Sequence, residues 1–427
     1  MKNLIKTYQT ISHKLQIVNF KLIIVVCTLL IANCTTAQSL DSLLQLVVEN
    51  NPELKALHLE YEAELNKVDQ VSQLQNPEIG IGLPILRPET RLGAQVLMIN
   101  ASQMFPWFGT LKAKKDVVIS MSKSRFERIS ILKLSLFNQI KIAYFRLNFL
   151  NEKQIVINDL LSNYVILNNV ALAKVESGQS STADVLRIQL KLQELKQELK
   201  LIENQKQIYY SKINELTNQN FNTKIQVTDD LSEIKAFGFN LESHKQHIKS
   251  NHPLMAKLAY DIESSKQKQV LNSQANKPKI GLGIDYSMVN GRTDANPQNN
   301  GQDIFIPKVK VSIPLYRKSY KAKNLEESNR QQAIEMQKVA LENKMIGLLL
   351  TYKSNYDNAI LRVELNNQQI KTTKMTYDIL LSQYSSTGKG FDELLQIQNQ
   401  LTNYNLELRK EKLNIRIAQA NIEKITG

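Results

Sequence analysis

The sequence is poor in residues that break helices or cross-link chains. Its 427 residues include only 14 glycines, 10 prolines and 2 cysteines. So few helix breakers, among many Leu, Lys, Gln, Glu and Asn residues, predict long helices. Both cysteines, Cys27 and Cys34, fall within the first 37 residues. The rest of the chain therefore contains no thiol, which excludes a disulfide framework and thiol chemistry there.

The first 37 residues have the pattern of a cleaved export signal. Four lysines precede the apolar run 22–32, and the small residues "CTTAQS" follow it. The run is shorter than the ~20 residues of a membrane-spanning helix, so we expect a signal peptide over 1–37, cut after Ala37. A lipid anchor at Cys34 is the less favoured alternative, because Asn33 stands where such signals carry a small residue. Removing four lysines and no acid lowers the formal net charge from +14 to +10.

Beyond the signal we find no apolar run of 18 residues, so a membrane location is expected to use β-strands rather than helices. The positive charge weakly favours anionic partners. Nucleic acid is not expected as a partner of an exported protein.

Two stretches of the chain repeat the same pattern 201 residues apart. Pro52 and Pro77 are separated by 25 residues, as are Pro253 and Pro278. The later prolines open "PEIGIG" and "PKIGLG". Downstream, "FPWFGTLKAK" corresponds to "IPLYRKSYKAK", and "DVLRIQ" to "ELLQIQ". This shared order indicates two tandem copies of one unit.

Each copy is expected to contain a helix, two strands and a hairpin of very long antiparallel helices, which makes the fold mainly α with a small β part. The hairpins turn at Gly178 and Gly388, and the leucine spacing predicts a coiled-coil-like seam along 186–202, formed by Leu186, Leu190, Leu195, Leu199 and Ile202. The predicted division is a first repeat 38–217, a connector 218–240 and a second repeat 241–427. The predicted segments are helices about 40–75 and 241–275, strands about 77–86 with 94–105 and 278–289 with 303–314, and helical hairpins 111–217 and 315–427.

The strands of the second copy alternate between apolar and polar residues. One face carries Ile280, Leu282, Ile284 and Tyr286, and we expect the other to line a water-filled lumen. A sheet packed on an ordinary core is the alternative. Four strands cannot close a membrane barrel, whereas three copies supply twelve. The residues predicted to face the lumen are Asp285, Ser287, Lys308, Lys310 and Ser312, whose two lysines weakly favour anions.

Taken together, the duplicated Asn/His-Pro helix starts, Pro-x-Ile-Gly-x-Gly strands, "FPWFGTLKAK" and the two Gly turns resemble the outer-membrane efflux channel family typified by TolC. The resemblance covers essentially the whole chain after the signal. It implies a homotrimer with a twelve-strand β-barrel in outer-membrane lipid, continuous with a periplasmic α-helical barrel. It also implies the exit duct of a tripartite efflux pump or a type I secretion system, served by a periplasmic adaptor and an RND-type or ABC-type inner-membrane pump.

By the same resemblance, the hairpin tips form the periplasmic entrance where the adaptor docks. Acidic rings are typical of that entrance, although Arg187 and Lys389 could offset the acids here. The tip residues are Gly178, Ser181, Thr182, Asp184, Val185, Leu186, Gly388, Phe391, Asp392, Glu393 and Leu395. The strand-to-helix junction consists of Pro106, Trp107, Phe108, Gly109 and Pro314, where an aromatic belt is favoured over packing at the bend.

Other functional classes have little support. His244 and His247 are spaced as metal ligands could be, but their counterparts in the first copy are Leu43 and Leu46, so no metal site and no cofactor are expected. A nucleophile–base pair, an HExxH motif and a Walker motif are absent from the sequence, so no enzyme activity is expected. The remaining alternative is an exported structural or adaptor-like coiled-coil protein without a pore.

Overall fold

The computed structural model describes residues 39–179, 181–228 and 237–427. The predicted signal peptide 1–37 and the alternative anchor at Cys34 lie outside these residues, as do 229–236 of the predicted connector. The described residues form a mainly helical chain with one small antiparallel sheet.

The elements of the first half recur in the same order in the second half, apart from one extra two-residue strand. The first half has α1 (Leu40–Asn50), α2 (Pro52–Ser72), β1 (Glu78–Gly82), β2 (Glu89–Thr90), β3 (Gly93–Phe105), α3 (Thr110–Glu176) and α4 (Thr182–Thr217). The second half has α5 (Leu241–Asn251), α6 (Pro253–Ala275), β4 (Lys279–Gly291), β5 (Ile304–Ser312), α7 (Lys318–Thr387) and α8 (Phe391–Thr426).

Each of the predicted helices 40–75 and 241–275 is in fact two helices. The break falls at Asn51-Pro52 in the first half and at His252-Pro253 in the second. Proline has no N–H and forces the residue before it into an extended conformation, so a helix ends there and a new one begins at the proline. Asn51 caps α2 by accepting hydrogen bonds from the N–H groups of Glu53 and Leu54 at 3.0 and 3.1 Å.

The two longest helices, α3 and α7, contain 67 and 70 residues. At ~1.5 Å per residue each is ~100 Å long. Both end at a glycine in the left-handed region, Gly178 and Gly388, each with a φ of +71°. A side chain is strained in that conformation, which is why glycine ends helices so often.

Within the chain, α3 lies in the middle of the helical layer and α7 at its edge. α3 packs against α2, α4, α6 and α8, whereas α7 packs mainly against α6 and α8. Along α3, Tyr144 and Leu147 belong to a core shared with α1 and α4, and Tyr164 belongs to a second core near the hairpin tips. The length of α3 is thus buried by neighbours on both sides.

The predicted leucine seam is only partly right. Leu195 and Ile202 are buried against α3, and Leu199 packs against the same core. Leu186 and Leu190 are instead 56% and 60% exposed. The buried positions near the tip are Val185 and Ile188, because the helix face that meets α3 is rotated from the one that the leucines suggested.

One apolar stretch was missed by the sequence analysis, which found no apolar run of 18 residues beyond the signal. Helix α3 contains an 18-residue window apolar enough, by length and composition alone, to cross a membrane. Along this helix Ile157, Leu160 and Tyr164 pack into the core that also holds Ile188 and Leu195. Only 22% of the window is buried, however, and Ile155 and Ile166 on the other side of the helix are 57% and 59% exposed.

The sheet has the strand order β1-β3-β4-β5, with β2 paired to the start of β3. The long central pair β3–β4, with 13 residues in each strand, joins the two halves of the chain. The edge strands β1 and β5 each pair with a single partner. Strand β1 ends at Gly82, short of the predicted 77–86, because Pro84 and Pro88 cannot continue a hydrogen-bonded ladder. The other strands match the predicted ranges to within two residues at either end.

Candidate functional site

The five residues predicted to face a lumen lie on one face of the sheet. Residues paired directly across antiparallel strands share a face. Lys310 pairs with Gly281, Lys308 with Gly283, and Gly283 in turn with Ser102 of β3. We call this the wet face; it holds Asn100, Ser102, Asp285, Ser287, Lys308, Lys310 and Ser312, with Ile304 and Ile306 at one end.

The opposite face of the sheet is apolar and exposed. Ile79 and Ile81 of β1 are each 72% exposed, and Val309 of β5 is 70% exposed. A soluble protein rarely leaves so many neighbouring apolar side chains uncovered. We call this the apolar face; it carries Ile79, Ile81, Ile280, Leu282, Ile284, Phe305, Val309 and Val311.

The duplicated Gly-x-Gly pairs provide space on the wet face for side chains of adjacent strands. A Cβ added at Gly80 would lie 2.8 Å from the Asn100 side-chain oxygen. One added at Gly281 would lie 2.5 Å from the Met104 sulfur. Neighbouring side chains thus fold over these glycines, which are strand residues and not part of a phosphate loop.

The charge of the wet face differs from the sequence expectation. Lys308 forms an ion pair with Asp285 on the neighbouring strand, which offsets its positive charge. Lys310 is exposed and forms no ion pair among the described residues. Only one of the two lysines on which the expected preference for anions rested therefore carries an unpaired charge.

The residues of the predicted strand-to-helix junction connect β3 to α3 and β5 to α7. Trp107 is half-buried, with the Lys277 ammonium 5.8 Å from its ring centroid. Phe108, by contrast, is 81% exposed and contacts Trp107 edge to face. Gly109 precedes α3 with a φ of +82°, and Pro314 lies between β5 and α7. Phe108 is therefore a better candidate than Trp107 for an aromatic belt.

The two hairpin tips have different turns. In the first, the Gln179 N–H donates to the Lys174 carbonyl at 2.8 Å, and Ser181 Oγ accepts from the Ala183 N–H at 3.1 Å. The second turn contains Gly388 and Gly390, both with positive φ, and no side chain caps α8. The shorter second turn thus relies on glycines where the first uses a serine cap.

The two tips touch each other and share a core. A Cβ at Gly388 would lie 2.5 Å from the Gln179 carbonyl oxygen. Behind the turns, Val185 and Phe391 are buried with Tyr384. Sequence reasoning missed this aromatic residue, which contacts the Phe391 ring at 5.3 Å.

The tip residues predicted for docking are therefore not equivalent. Val185 and Phe391 shape the interior of the tip and do not reach its surface. Gly178 and Gly388 form the turns, and Asp184 and Leu395 are half-buried. The exposed members are Ser181, Thr182, Leu186, Asp392 and Glu393.

Opposite charges meet at the surface of the tips. Arg187 of α4 forms an ion pair with Asp392 of α8. Arg187 is one of the two bases that the sequence analysis named as able to offset the tip acids. Glu393 and Lys389 are exposed beside this pair. One of the tip acids predicted to contribute to an acidic ring is thus paired with a base of the same chain.

A large cavity at the sheet-to-helix junction was not foreseen. It has a volume of about 900 Å³ and lies between the starts of α3 and α7 and the end of α6. Trp107 lines it together with Lys114 and Lys323. The sequence signal for these lysines was the Lys-Ala-Lys motif present in both copies.

No group of three or more His, Cys, Asp or Glu side chains within 39–179, 181–228 and 237–427 could hold a metal ion. His244 stacks on Phe239 with ring centroids 5.0 Å apart, and its Nδ1 lies 2.6 Å from the Asn240 carbonyl oxygen. His247 Nδ1 contacts the Asn251 side chain at 3.1 Å.

Comparison with known proteins identifies this architecture. Residues 43–219 match the sequence model of the outer membrane efflux protein family. No curated protein sequence matches the chain.

Solved structures match over nearly the whole chain, at low identity. The outer-membrane channel OprN is 14% identical with a TM-score of 0.72, covering 91% of this chain and 89% of its own. The outer membrane protein VceC from Vibrio cholerae is 13% identical with a TM-score of 0.69, covering 91% and 96%. The MtrE outer membrane channel of Neisseria gonorrhoeae is 12% identical with a TM-score of 0.71, covering 91% and 88%.

These matches confirm the resemblance to TolC-like outer-membrane channels. The fold is that of these outer-membrane channel proteins.

Proposed function

We propose that the chain is an outer-membrane efflux channel, the passive exit duct of a tripartite efflux pump or a type I secretion system. The observation that carries this proposal is the sheet, which has an apolar exposed face, a wet face and two edge strands with one partner each. An open edge in lipid leaves backbone groups unpaired, at a cost of several kcal/mol each. The sheet therefore needs other chains to complete it.

Three copies would give a closed barrel of twelve strands, counting β1, β3, β4 and β5 from each. In this barrel β5 of one copy pairs with β1 of the next, the apolar face meets lipid, and the wet face lines the lumen. The 13-residue strands β3 and β4 are long enough, since a tilted strand needs ~9–11 residues to cross a membrane. The homotrimer also follows the preference of homo-oligomers for closed symmetry.

The long helices extend the duct into the periplasm as an α-helical barrel. The two halves of the chain, 38–217 and 241–427, are proposed to be tandem copies of one unit. The recurrence of their element order, from α1–α4 to α5–α8, supports that origin. Export would use residues 1–37 as a signal peptide cut after Ala37.

The hairpin tips are proposed as the entrance where a periplasmic adaptor docks. The exposed side chains Ser181, Thr182, Leu186, Asp392 and Glu393 offer the contact surface. An inner-membrane transporter of RND or ABC type supplies the energy. The duct itself needs no catalytic group or cofactor.

Pore formation tests this proposal. Protein extracted in detergent is expected to be a trimer by light scattering and to form ion-conducting pores in planar bilayers. A water-soluble monomer without pores would instead support the alternative of an exported coiled-coil protein.

A pair of arginine substitutions tests the two sheet faces separately. Val309→Arg puts a charge on the apolar face, at a cost of ~2–4 kcal/mol near the bilayer centre, and is expected to abolish membrane insertion. Ser102→Arg adds the same charge to the wet face and is expected to insert normally. Equal insertion of both variants would contradict the assignment of the faces.

A further inference from the structure

The cavity at the sheet-to-helix junction, here called the junction cavity, opens on the wet-face side of the sheet. Met104 and Lys279, which line it, lie on that face in register with Gly281 and Ser312 respectively. Its volume of about 900 Å³ falls within the ~300–1,000 Å³ of small-molecule sites. In the proposed trimer, three such cavities would open into the duct where the barrel meets the helices.

Unpaired positive charge dominates the lining. The lysines Lys114, Lys268, Lys279 and Lys323 all line the cavity, and none forms an ion pair among the described residues. The fifth base, Arg330, pairs with the two carboxylates of the lining, Glu326 at 3.0 Å and Glu327 at 3.9 Å. Four free ammonium groups around one concave surface attract anions, since a cleft lined by one sign of charge concentrates the field.

The duplicated Lys-Ala-Lys motif supplies two of these lysines. Lys112-Ala-Lys114 opens α3, and Lys321-Ala-Lys323 opens α7. Only the second lysine of each motif lines the cavity; Lys112 and Lys321 are exposed outside it. The internal repetition thus brings one lysine from each half of the chain to the same cavity.

Aromatic rings and unsatisfied polar atoms complete the lining. Trp107, Tyr316 and Tyr320 provide flat apolar surfaces. One buried atom in the lining, Thr110 Oγ1, has no hydrogen-bond partner, and its residue is 6% exposed. Gln274 Oε1 is a second such atom, whereas Glu327 Oε2, which also lacks a hydrogen bond, is ion-paired with Arg330. Buried polar atoms are nearly always paired, so two orphans in one cavity point to an absent hydrogen-bonding partner.

We propose that the junction cavity binds an aromatic anion that carries a hydroxyl group. The lysine ammonium groups pair with the carboxylate, and the rings of Trp107 and the tyrosines stack on the solute. The hydroxyl donates to the orphan oxygen of Gln274, and the Thr110 hydroxyl donates to the anion. The site's place inside a duct rests on the proposed function; its ligand chemistry does not.

Equilibrium binding tests the inference with 6-hydroxy-2-naphthoate, followed by its fluorescence on the full-length protein in an uncharged detergent. Lys114→Gln with Lys323→Gln is expected to weaken binding about tenfold or more, because each lysine provides a charge-assisted contact. The matched control, Lys112→Gln with Lys321→Gln, removes the same charge from the same two motifs and is expected to bind as the wild type does. Equal loss in both pairs, or no loss in either, overturns the inference.

Two related probes separate the contributions of charge and hydroxyl. Neutral 2-naphthol is expected to bind at least tenfold more weakly than the hydroxynaphthoate, and 2-naphthoate, which lacks the hydroxyl, several-fold more weakly. If 2-naphthol binds as well as the anion, the cavity is a hydrophobic cleft and the proposed anion chemistry is wrong. If 2-naphthoate binds as well as the hydroxynaphthoate, the role of the orphan oxygens is wrong.

Bilayer recordings distinguish this inference from the proposed function. Hydroxynaphthoate is expected to reduce the current through wild-type pores, and the Lys114→Gln, Lys323→Gln variant to conduct without that reduction. Pores that conduct while the protein binds no hydroxynaphthoate would overturn the site and leave the channel standing. Binding by a protein that forms no pores would overturn the channel and leave the site standing.

Discussion

The two long helices α3 and α7 are nearly equal in length but differ in burial. α3 has 67 residues and α7 has 70, yet α3 has more than twice as many buried residues. On α7 a series of large apolar side chains remains exposed, including Met336, Leu361 and Leu365. Equivalent elements of the two halves therefore occupy unlike environments.

The difference follows from the order of the helices. α3 has neighbours on both sides, and α7 has its main neighbours on one side only. An exposed apolar stripe on an edge helix is a typical interface feature. In the proposed trimer this stripe is covered by the next copy, so α3 stabilises the chain and α7 stabilises the assembly.

The largest expected effect comes from charging the exposed stripe of α7. Leu361→Glu with Leu365→Glu forfeits the burial of two leucines at each interface, ~3–6 kcal/mol, and is expected to convert the trimer to monomers in size-exclusion chromatography with light scattering. Ile155→Glu with Ile166→Glu is the matched control, because these residues of α3 are similarly exposed. A trimer that survives the α7 change but not the α3 change would reverse the assigned roles.

Single truncations on the two helices should separate stability from assembly. Leu147 of α3 is fully buried, so Leu147→Ala is expected to cost ~2–5 kcal/mol of folding stability and to lower the thermal midpoint of the monomer. Leu361→Ala should leave that midpoint almost unchanged, since its side chain is 62% exposed in the single chain. Similar midpoints for both variants would show that α3 is not the better packed helix.

The helix caps Asn51 and His252 extend the comparison to pH. His252 Nδ1 accepts the Leu254 N–H at 3.1 Å, and burial lowers the pKa of this imidazole below its ordinary value of 6.5. The unfolded chain therefore binds the proton more readily, so the stability from His252 is present above about pH 6.5 and lost as pH falls through the lower folded pKa. Protonation also removes the acceptor of the cap, worth ~0.5–2 kcal/mol.

Hydrogen exchange can detect this asymmetry. On acidification from pH 7.5 to 5, amides at the start of α6 should lose protection relative to those at the start of α2, after correction for intrinsic rates. In His252→Asn the two helix starts should respond alike. A pH response that persists in this variant would assign the effect to another group.

The smallest effect is expected at the hairpin tips. The Arg187–Asp392 pair is largely exposed, and such pairs contribute ~0–1 kcal/mol. Arg187→Gln should thus leave the thermal midpoint within about 2 °C, while making the tip surface more acidic. A large drop in the midpoint would mean that this ion pair, rather than the buried Tyr384 and Phe391, holds the two tips together.

Local signals in the sequence predicted much of the fold. The scarcity of Gly and Pro predicted α3 and α7, and Gly178 and Gly388 marked their ends. Pro52 and Pro253 signal helix breaks, but the sequence analysis predicts one continuous helix across each of them. Other features depend on partners distant in sequence: the rotation that exposes Leu186, and the unequal burial of α3 and α7.

The site was less predictable than the fold. Alternation along β4 and β5 predicted which residues share a face, because side chains alternate with a period of two. The Lys308–Asp285 pair required the strand register, and the junction cavity required α3, α6 and α7 to meet. The repeated Lys-Ala-Lys was visible in the sequence, but only the fold shows that its second lysine lines the junction cavity.

The edge strands β1 and β5 also have a consequence for biogenesis. An uncovered strand edge is a template for indiscriminate pairing with other chains, so a single copy of the proposed trimer would be prone to aggregate until it binds the other two. Because an open edge is not tolerated in lipid, association in the proposed trimer has to accompany or precede insertion. The rate of barrel formation should therefore fall steeply as the chain is diluted. Chaperones that shield strand edges should raise the yield of assembled barrel.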